Sequence, residues 1–159
     1  LEFTIKTYHD HAGVTREIAT LTPGETVLIG PPWGAIHDAG PGTFLAAGTG
    51  VTPFIPILRR RARDGALDGC HLIFSNKTSD DIILRGEWEA MTGLETTFVV
   101  DAAEPGLRQG PIDADMLADM IGDFSGVFYV CGPPGFIEAM HGALGEHGVS
   151  DSQIVKEEA

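Results

Sequence analysis

Two glycine-bearing turns hold the chemical interest of this sequence. In residues 44–58, FLAAGTGVTPFIPIL, an apolar run ends in Gly48-Thr49-Gly50 and passes through Val51-Thr52-Pro53 into an apolar pattern of helical spacing. Glycine lets the backbone approach a ligand closely and adopt positive φ. Thr52 is expected to cap the helix and Pro53 to be its first residue, where a missing N–H costs nothing. The unused amides and the positive end of the helix dipole then face whatever lies over the turn, and a pyrophosphate suits them best. Packing alone would also explain a glycine pair, but its place after the first strand of an α/β pattern favours a ligand. Pro56 either removes an early helical bond or delays the helix start. Residues 127–140, VFYVCGPPGFIEAM, repeat the arrangement: an apolar strand runs into Cys131-Gly132-Pro133-Pro134 and then a helix. Ligands of open α/β sheets bind at the carboxyl ends of strands near the topological switch, so adjacent strands would make the two turns neighbours. Cys131 then faces their crevice, or is simply a small buried hydrophobe.

The other candidates are weaker. An ordinary dinucleotide fold wants an acid at the tip of its second strand. Here the tip reads FSNKTSDD, where Ser75, Asn76 and Lys77 are donors, and Asp80 and Asp81 fall in the first turn of the next helix. Lys77 could meet a 2′-phosphate or stand solvated. His9 and His11 have metal-ligand spacing, but no acid or cysteine completes a site, so a solvated strand end and no bound metal are expected. Arg59, Arg60, Arg61 and Arg63 lie at a helix C-terminus, favoured there by the dipole, as a solvated face or a dock for an acidic partner. No nucleophile elbow or Ser-His-Asp pattern is present.

The elements that must position these turns follow from patterning. Residues 1–8 alternate apolar and polar as a half-buried antiparallel strand does. Residues 12–21 read as a short helix with Ile18 and Leu21 inward, 22–25 as a turn and 26–29 as a second strand. A glycine- and proline-rich connector follows, with a domain boundary near Pro41. Strands are then expected at 43–47, 71–75, 95–100, 127–131 and 153–155, and helices at 53–64, 80–91, 114–121 and 135–146. Short apolar strands between amphipathic helices imply a parallel sheet covered on both faces. The chain has 159 residues, with 10 basic and 23 acidic side chains giving a net charge of −13, which repels nucleic-acid phosphates. No apolar run is long enough to span a membrane and no secretion signal is visible. Cys70 and Cys131, in no metal-binding spacing, could pair but are expected as free thiols of a reducing, cytoplasmic setting.

With these residues assembled, the chain resembles the ferredoxin–NADP reductase superfamily, most closely its NADH-dependent cytochrome reductases and related flavin reductases. GTGVTP is similar to that family's pyridine-nucleotide turn, CGPPGFIEAM to its second nucleotide turn, and FSNKTSDDIILRGEWEAM to the segment after the first βα unit. The resemblance implies an α/β domain over 42–159, a five-stranded parallel nucleotide-binding sheet with helices on both faces. Before it, 1–41 would be the C-terminal part of an antiparallel FAD-binding β-barrel. The implied activity is hydride transfer from NADH or NADPH to FAD, with electrons passed on to an acceptor protein or small molecule. By the same resemblance Cys131 and Thr52 lie at the nicotinamide and flavin rings, Cys131 positioning without covalent chemistry. Gly48, Thr49, Gly50, Val51 and Pro53 hold the dinucleotide phosphates, Gly132, Pro133 and Pro134 form the second turn, and Ser75, Asn76 and Lys77 lie near the adenosine ribose. Ser75-Asn76-Lys77 is closer to NADH users than to NADPH users. Thr4 and Lys6 would lie along the flavin cofactor's phosphate–ribose side, and Gly13, Val14 and Thr15 would donate to its pyrophosphate. The family's arginine–aromatic–serine or threonine motif would precede Leu1, so the chain reads as lacking the N-terminal part of the barrel, and VKEEA lacks a flavin-stacking aromatic. The alternative is a module that binds NAD(P)H without turnover.

Overall fold

The strand pattern of the second part of the chain closes on itself around one very apolar strand. In the computed structural model, which describes residues 2–7, 12–31 and 33–157, β1 (Gly42–Ala47) contributes Phe44, Leu45 and Ala46, all fully buried. A strand covered on both faces needs apolar side chains on both, and this one has them. β2 (Cys70–Asn76), β3 (Leu94–Val100) and the two-residue β4 (Arg108–Gln109) lie to one side of β1. β5 (Val127–Cys131) and β6 (Ile154–Lys156) lie on the other, giving the order β4-β3-β2-β1-β5-β6. All neighbours pair in parallel. The sheet has six strands rather than the expected five, because β4 joins its edge through Val99 and Val100.

Alternation along the strands divides the core in two. Phe44, Leu72, Phe74 and Tyr129 face α2 (Phe54–Arg63) and α3 (Arg85–Ala90), where Phe54 and Trp88 complete the packing. Leu45, Ile73, Val99 and Val130 face α4 (Ala114–Met120) and α5 (Pro134–Glu146), with Leu117, Met140 and Leu144. At the centre Tyr129 stacks on Phe44 with ring centroids 4.2 Å apart. Its hydroxyl donates to Gly40 O at 2.7 Å and accepts from Ala39 N at 2.9 Å, which satisfies a buried phenol and pins the connector. Arg61 holds the same connector through Asp38.

One helix differs from expectation. The span 80–91 is broken: a 3-10 turn covers Ser79–Asp81, and Leu84 takes a left-handed conformation, φ 58°, before α3 begins. Asp81 caps that turn, accepting from Thr78 N and from its hydroxyl at 3.1 and 2.8 Å, instead of sitting inside a helix.

The chain divides into compact units between Gly34 and Ala35, within the connector. In the first unit the helix α1 (Val14–Ile18) and a turn with Glu25 N bonded to Thr22 O at 3.1 Å form where expected. The two antiparallel strands do not: neither 2–7 nor 26–29 is paired in a sheet. Phe3, Ile5, Leu21, Val27, Leu28 and Ile29 are exposed, so Leu21 does not turn inward. An alternating segment becomes a strand only when a partner takes its backbone hydrogen bonds.

Candidate functional site

Strand order sets the site. From β1 the chain builds outward through β2, β3 and β4, then returns across β1 to lay down β5 on its other side. The reversal falls between β1 and β5, whose register pairs Ala46 with Cys131. Both glycine turns therefore leave the sheet side by side, at the carboxyl ends where such folds take ligands.

Their contact is backbone on backbone. Residues Gly48–Val51 form a 3-10 turn. A methyl group on Gly50 would lie 2.1 Å from Cys131 O and 2.6 Å from Gly132 N, and one on Gly132 would lie 3.0 Å from Ala47 Cβ. Neither glycine has positive φ; both are required by closeness. Gly48 is the opposite case, with φ 52° and open space around it. Thr49, half-buried, supplies the carbonyl that locks the turn, accepting from Thr52 N at 3.1 Å and from the Thr52 hydroxyl at 2.9 Å. Thr52 is thus not the helix cap expected of it, because its side chain donates backwards into the turn. Pro53 holds the position just before α2, and Pro56 falls in that helix's first turn, where no N–H is needed. Val51 is fully buried beneath.

On the other strand, Pro133 precedes α5 and its carbonyl accepts from Phe136 N and Ile137 N at 2.9 and 3.1 Å, while Pro134 occupies the first helical position. Cys131 is buried, and burial, with help from Glu157, pushes its thiol up to about 11. It is a neutral thiol at physiological pH. Cys70 is the second free thiol, also raised by burial.

At the end of β2, Ser75 is half-buried and Lys77 exposed, while Asn76 is only 6% exposed. Neither amide atom of Asn76 has a hydrogen-bond partner among the described residues. Sequence reasoning placed Asn76 here but gave no sign that it would be closed in. The turns, Cys131 and the β2 tip thus share one end of the sheet. Thr4, Lys6, Gly13, Val14 and Thr15 belong to the other unit, on a segment outside any sheet and on the short α1. His9 and His11 lie outside the described residues.

The sheet end suits a dinucleotide: the two turns meet backbone on backbone with no room for a Cβ at Gly50, Gly48 stands in open space, and two helices open beside them. For FAD the described residues make no comparable cradle, since the segments expected to form barrel strands are unpaired.

A family model described as an oxidoreductase NAD-binding domain matches residues 44–142. NADH-cytochrome b5 reductase 2 from Rattus norvegicus is 28% identical, covering 92% of this chain and 64% of that protein. Nitrate reductase [NAD(P)H] from Hordeum vulgare is 31% identical over 79% of this chain and 17% of its own length. Among solved structures, the FAD/NAD-binding domain of nitric oxide dioxygenase from Vibrio cholerae superposes with a TM-score of 0.67 at 24% identity, over 77% of this chain and 52% of that one. A ferredoxin NADP+ reductase from Neisseria gonorrhoeae does so with a TM-score of 0.62 at 22% identity, over 76% and 56%. The chain spans less than two thirds of the length of these relatives.

Proposed function

The chain belongs to the oxidoreductase NAD-binding domain family and shares its fold with the ferredoxin–NADP reductases, and from that premise we propose that it is the pyridine-nucleotide part of an FAD-dependent oxidoreductase. It binds NADH, or less readily NADPH, so that hydride passes to FAD and electrons go on to an acceptor protein or small molecule. The observation that carries this reading is the backbone contact of Gly50 with the Cys131–Gly132 peptide at the switch point of the sheet. Two glycine turns pressed together beside two helix starts suit a pyrophosphate.

In that reading hydride chemistry is supplied by the two cofactors when bound, and the protein orients them. Gly48, Thr49, Gly50, Val51 and Pro53 hold the phosphates, with Thr49 fixed by Thr52. Cys131, kept as a thiol by burial, would stand beside a bound nicotinamide as a compact neutral wall that excludes water and orients the ring. Gly132, Pro133 and Pro134 shape that wall. Ser75, Asn76 and Lys77 face the adenosine end. Residues 1–41 are assigned to the flavin side, through Thr4, Lys6, Gly13, Val14 and Thr15. A reducing, cytoplasmic setting suits two free thiols, and among the described residues no helix is long and apolar enough to cross a membrane.

Calorimetric titration with NADH and NADPH, then anaerobic NADH addition in the presence of FAD, tests the reading. Binding of NADH with bleaching of a retained flavin band is the expected result for the oxidoreductase. Nucleotide binding without flavin retention would leave the second reading, a module that binds NAD(P)H without turnover, which the unpaired segments of the first unit favour. Absence of binding to either nucleotide at millimolar concentration would refute both.

A further inference from the structure

The sequence holds two Asp–Gly bonds, Asp64-Gly65 and Asp68-Gly69, both in the loop between α2 and β2, and all four residues are exposed. Aspartate before glycine is the pairing most open to cyclisation. Glycine has no Cβ to block its nitrogen from the neighbouring carboxyl group, and its backbone turns freely. The fold treats the two bonds differently. Asp64 closes α2, and its carboxylate lies 3.1 Å from Arg63 Nε and 3.7 Å from Arg60 Nε. Gly65 N donates to Ala62 O at 3.2 Å. Both reacting groups of that bond are therefore held. Asp68 has no hydrogen bond or ion pair among the described residues, and Gly69 N donates to none of them. Gly69 stands at φ 76°, with Pro41 Cβ 3.6 Å from where a Cβ would be. The turn around this free pair is anchored at both ends: Leu67 and Cys70 are 3% and 2% exposed, and Cys70 N donates to Leu67 O at 2.9 Å.

We propose that the Asp68–Gly69 bond is a modification site, at which the chain isomerises to isoaspartate without an enzyme. Gly69 N attacks Asp68 Cγ: an N–Cγ bond forms, a Cγ–O bond breaks, and the hydroxyl leaves with the amide proton as water. Water then opens the cyclic imide at the former main-chain carbonyl. That carbon becomes a free carboxylate, and the backbone now runs through Cβ and Cγ. Nothing is oxidised or reduced, and the mass is unchanged. The product carries an extra backbone carbon between two buried anchors. The displacement falls on the Leu67–Cys70 turn and on the first pairs of β2, Cys70 with Leu94 and His71 with Glu95. The isomerised residue also presents an exposed α-carboxylate on a β-linked chain, the group that isoaspartate-directed carboxyl methyltransferases take as substrate. The inference stands apart from the nucleotide reading, since this loop lies where β2 begins and the glycine turns lie where β1 and β5 end.

The test compares the folded chain with a synthetic peptide of residues 63–71, in which both bonds are free. Each is incubated in heavy-oxygen water, and oxygen incorporated at Asp64 and Asp68 is read by peptide mass spectrometry. Isoaspartate is counted by enzymatic methyl transfer from labelled S-adenosylmethionine. The peptide should label both residues at similar rates. The folded chain should label Asp68 about tenfold faster than Asp64, the ratio expected when a hydrogen bond and an exposed ion pair must open before attack. Asp68→Glu, whose extra methylene makes the ring slow to close, should abolish most methyl acceptance, and Asp64→Glu should leave it as in the wild type. Equal or reversed rates at the two residues of the folded chain would overturn the proposal. So would a folded chain that stays unlabelled at Asp68 while the peptide labels there, or methyl acceptance that persists in Asp68→Glu.

Discussion

Gly50→Ala is the sharpest perturbation of the site, because the added methyl meets backbone instead of a side chain that can swing away. The new Cβ would lie 2.1 Å from Cys131 O and 2.4 Å from its carbonyl carbon. Ordinary contact begins at 3.4 Å, so the β5 turn must retreat by roughly 1.3 Å in a core packed like a crystal. Forced overpacking of this kind costs about 1–3 kcal/mol, and a peptide with no rotamer to yield puts the cost at about 2–3. For a chain of this size that lowers the melting temperature by about 4–12 °C. A shift of about 1 Å in positioning groups is also worth up to about a hundredfold in function, so NADH affinity should fall at least about tenfold. Two controls isolate the cause. Gly135 has open space and no positive φ inside α5, so Gly135→Ala should stabilise by about 0.5–1 kcal/mol. Gly48 has open space but φ 52°, so Gly48→Ala should cost about 1–2 kcal/mol from backbone strain alone. Differential scanning calorimetry and NADH titration of the three variants decide the matter. A Gly50→Ala protein that melts with wild type and binds NADH equally would refute the account of the paired turns.

Cys131 should resist iodoacetamide at pH 8: a thiol at about 11 has about a hundredfold less thiolate than an ordinary one, so peptide mapping that finds it modified as fast as free cysteine would sink its assignment as a neutral wall. In the enzyme supplied with FAD, Cys131→Ala should slow hydride transfer, by stopped flow, more than it weakens NADH binding; equal losses would remove the positioning role. Tyr129→Phe removes the bonds to Gly40 O and Ala39 N and should lower stability by about 1–3 kcal/mol in urea melts, with no change if the connector is held by Asp38 and Arg61 alone. Burial lowers the His71 pKa in the folded state, against the opposing pull of Glu95. The unfolded chain therefore takes up the proton first, and stability contributed by neutral His71 is lost as pH falls below about 6.5. His71→Gln should flatten that part of the pH–stability curve, and an unchanged slope would show that His71 is not its source.

The parallel sheet was legible because its strands are short, apolar on both faces and punctuated by glycine, a pattern with few other solutions. The neighbouring turns were legible for the same reason: once β1 and β5 are adjacent, GTGVTP and CGPP must meet. Four features were hidden. Thr52 has the residue type of a cap but donates to Thr49 instead, a choice set by the 3-10 geometry before α2. Leu84 breaks a well-patterned helix through a left-handed backbone that no leucine advertises. The alternation of 1–8 and the turn-bounded run 26–29 read as strands, yet 2–7 and 26–29 pair with no strand among the described residues. The closed-in amide of Asn76 was invisible as well, since burial at a strand tip depends on what folds over it.

The two-residue β4 has a consequence for how this protein behaves among its own copies. It pairs with β3 only at Val99 and Val100, the apolar end, and among the described residues no strand pairs with the outer edge of Leu94-Glu95-Thr96-Thr97. A bare rim invites another chain to add a strand. Here the rim carries a glutamate and two threonines, with an exposed Glu95 carboxylate repelling a second copy of itself. The short strand and the charge divide the edge between them, so the sheet ends where its sequence ends it.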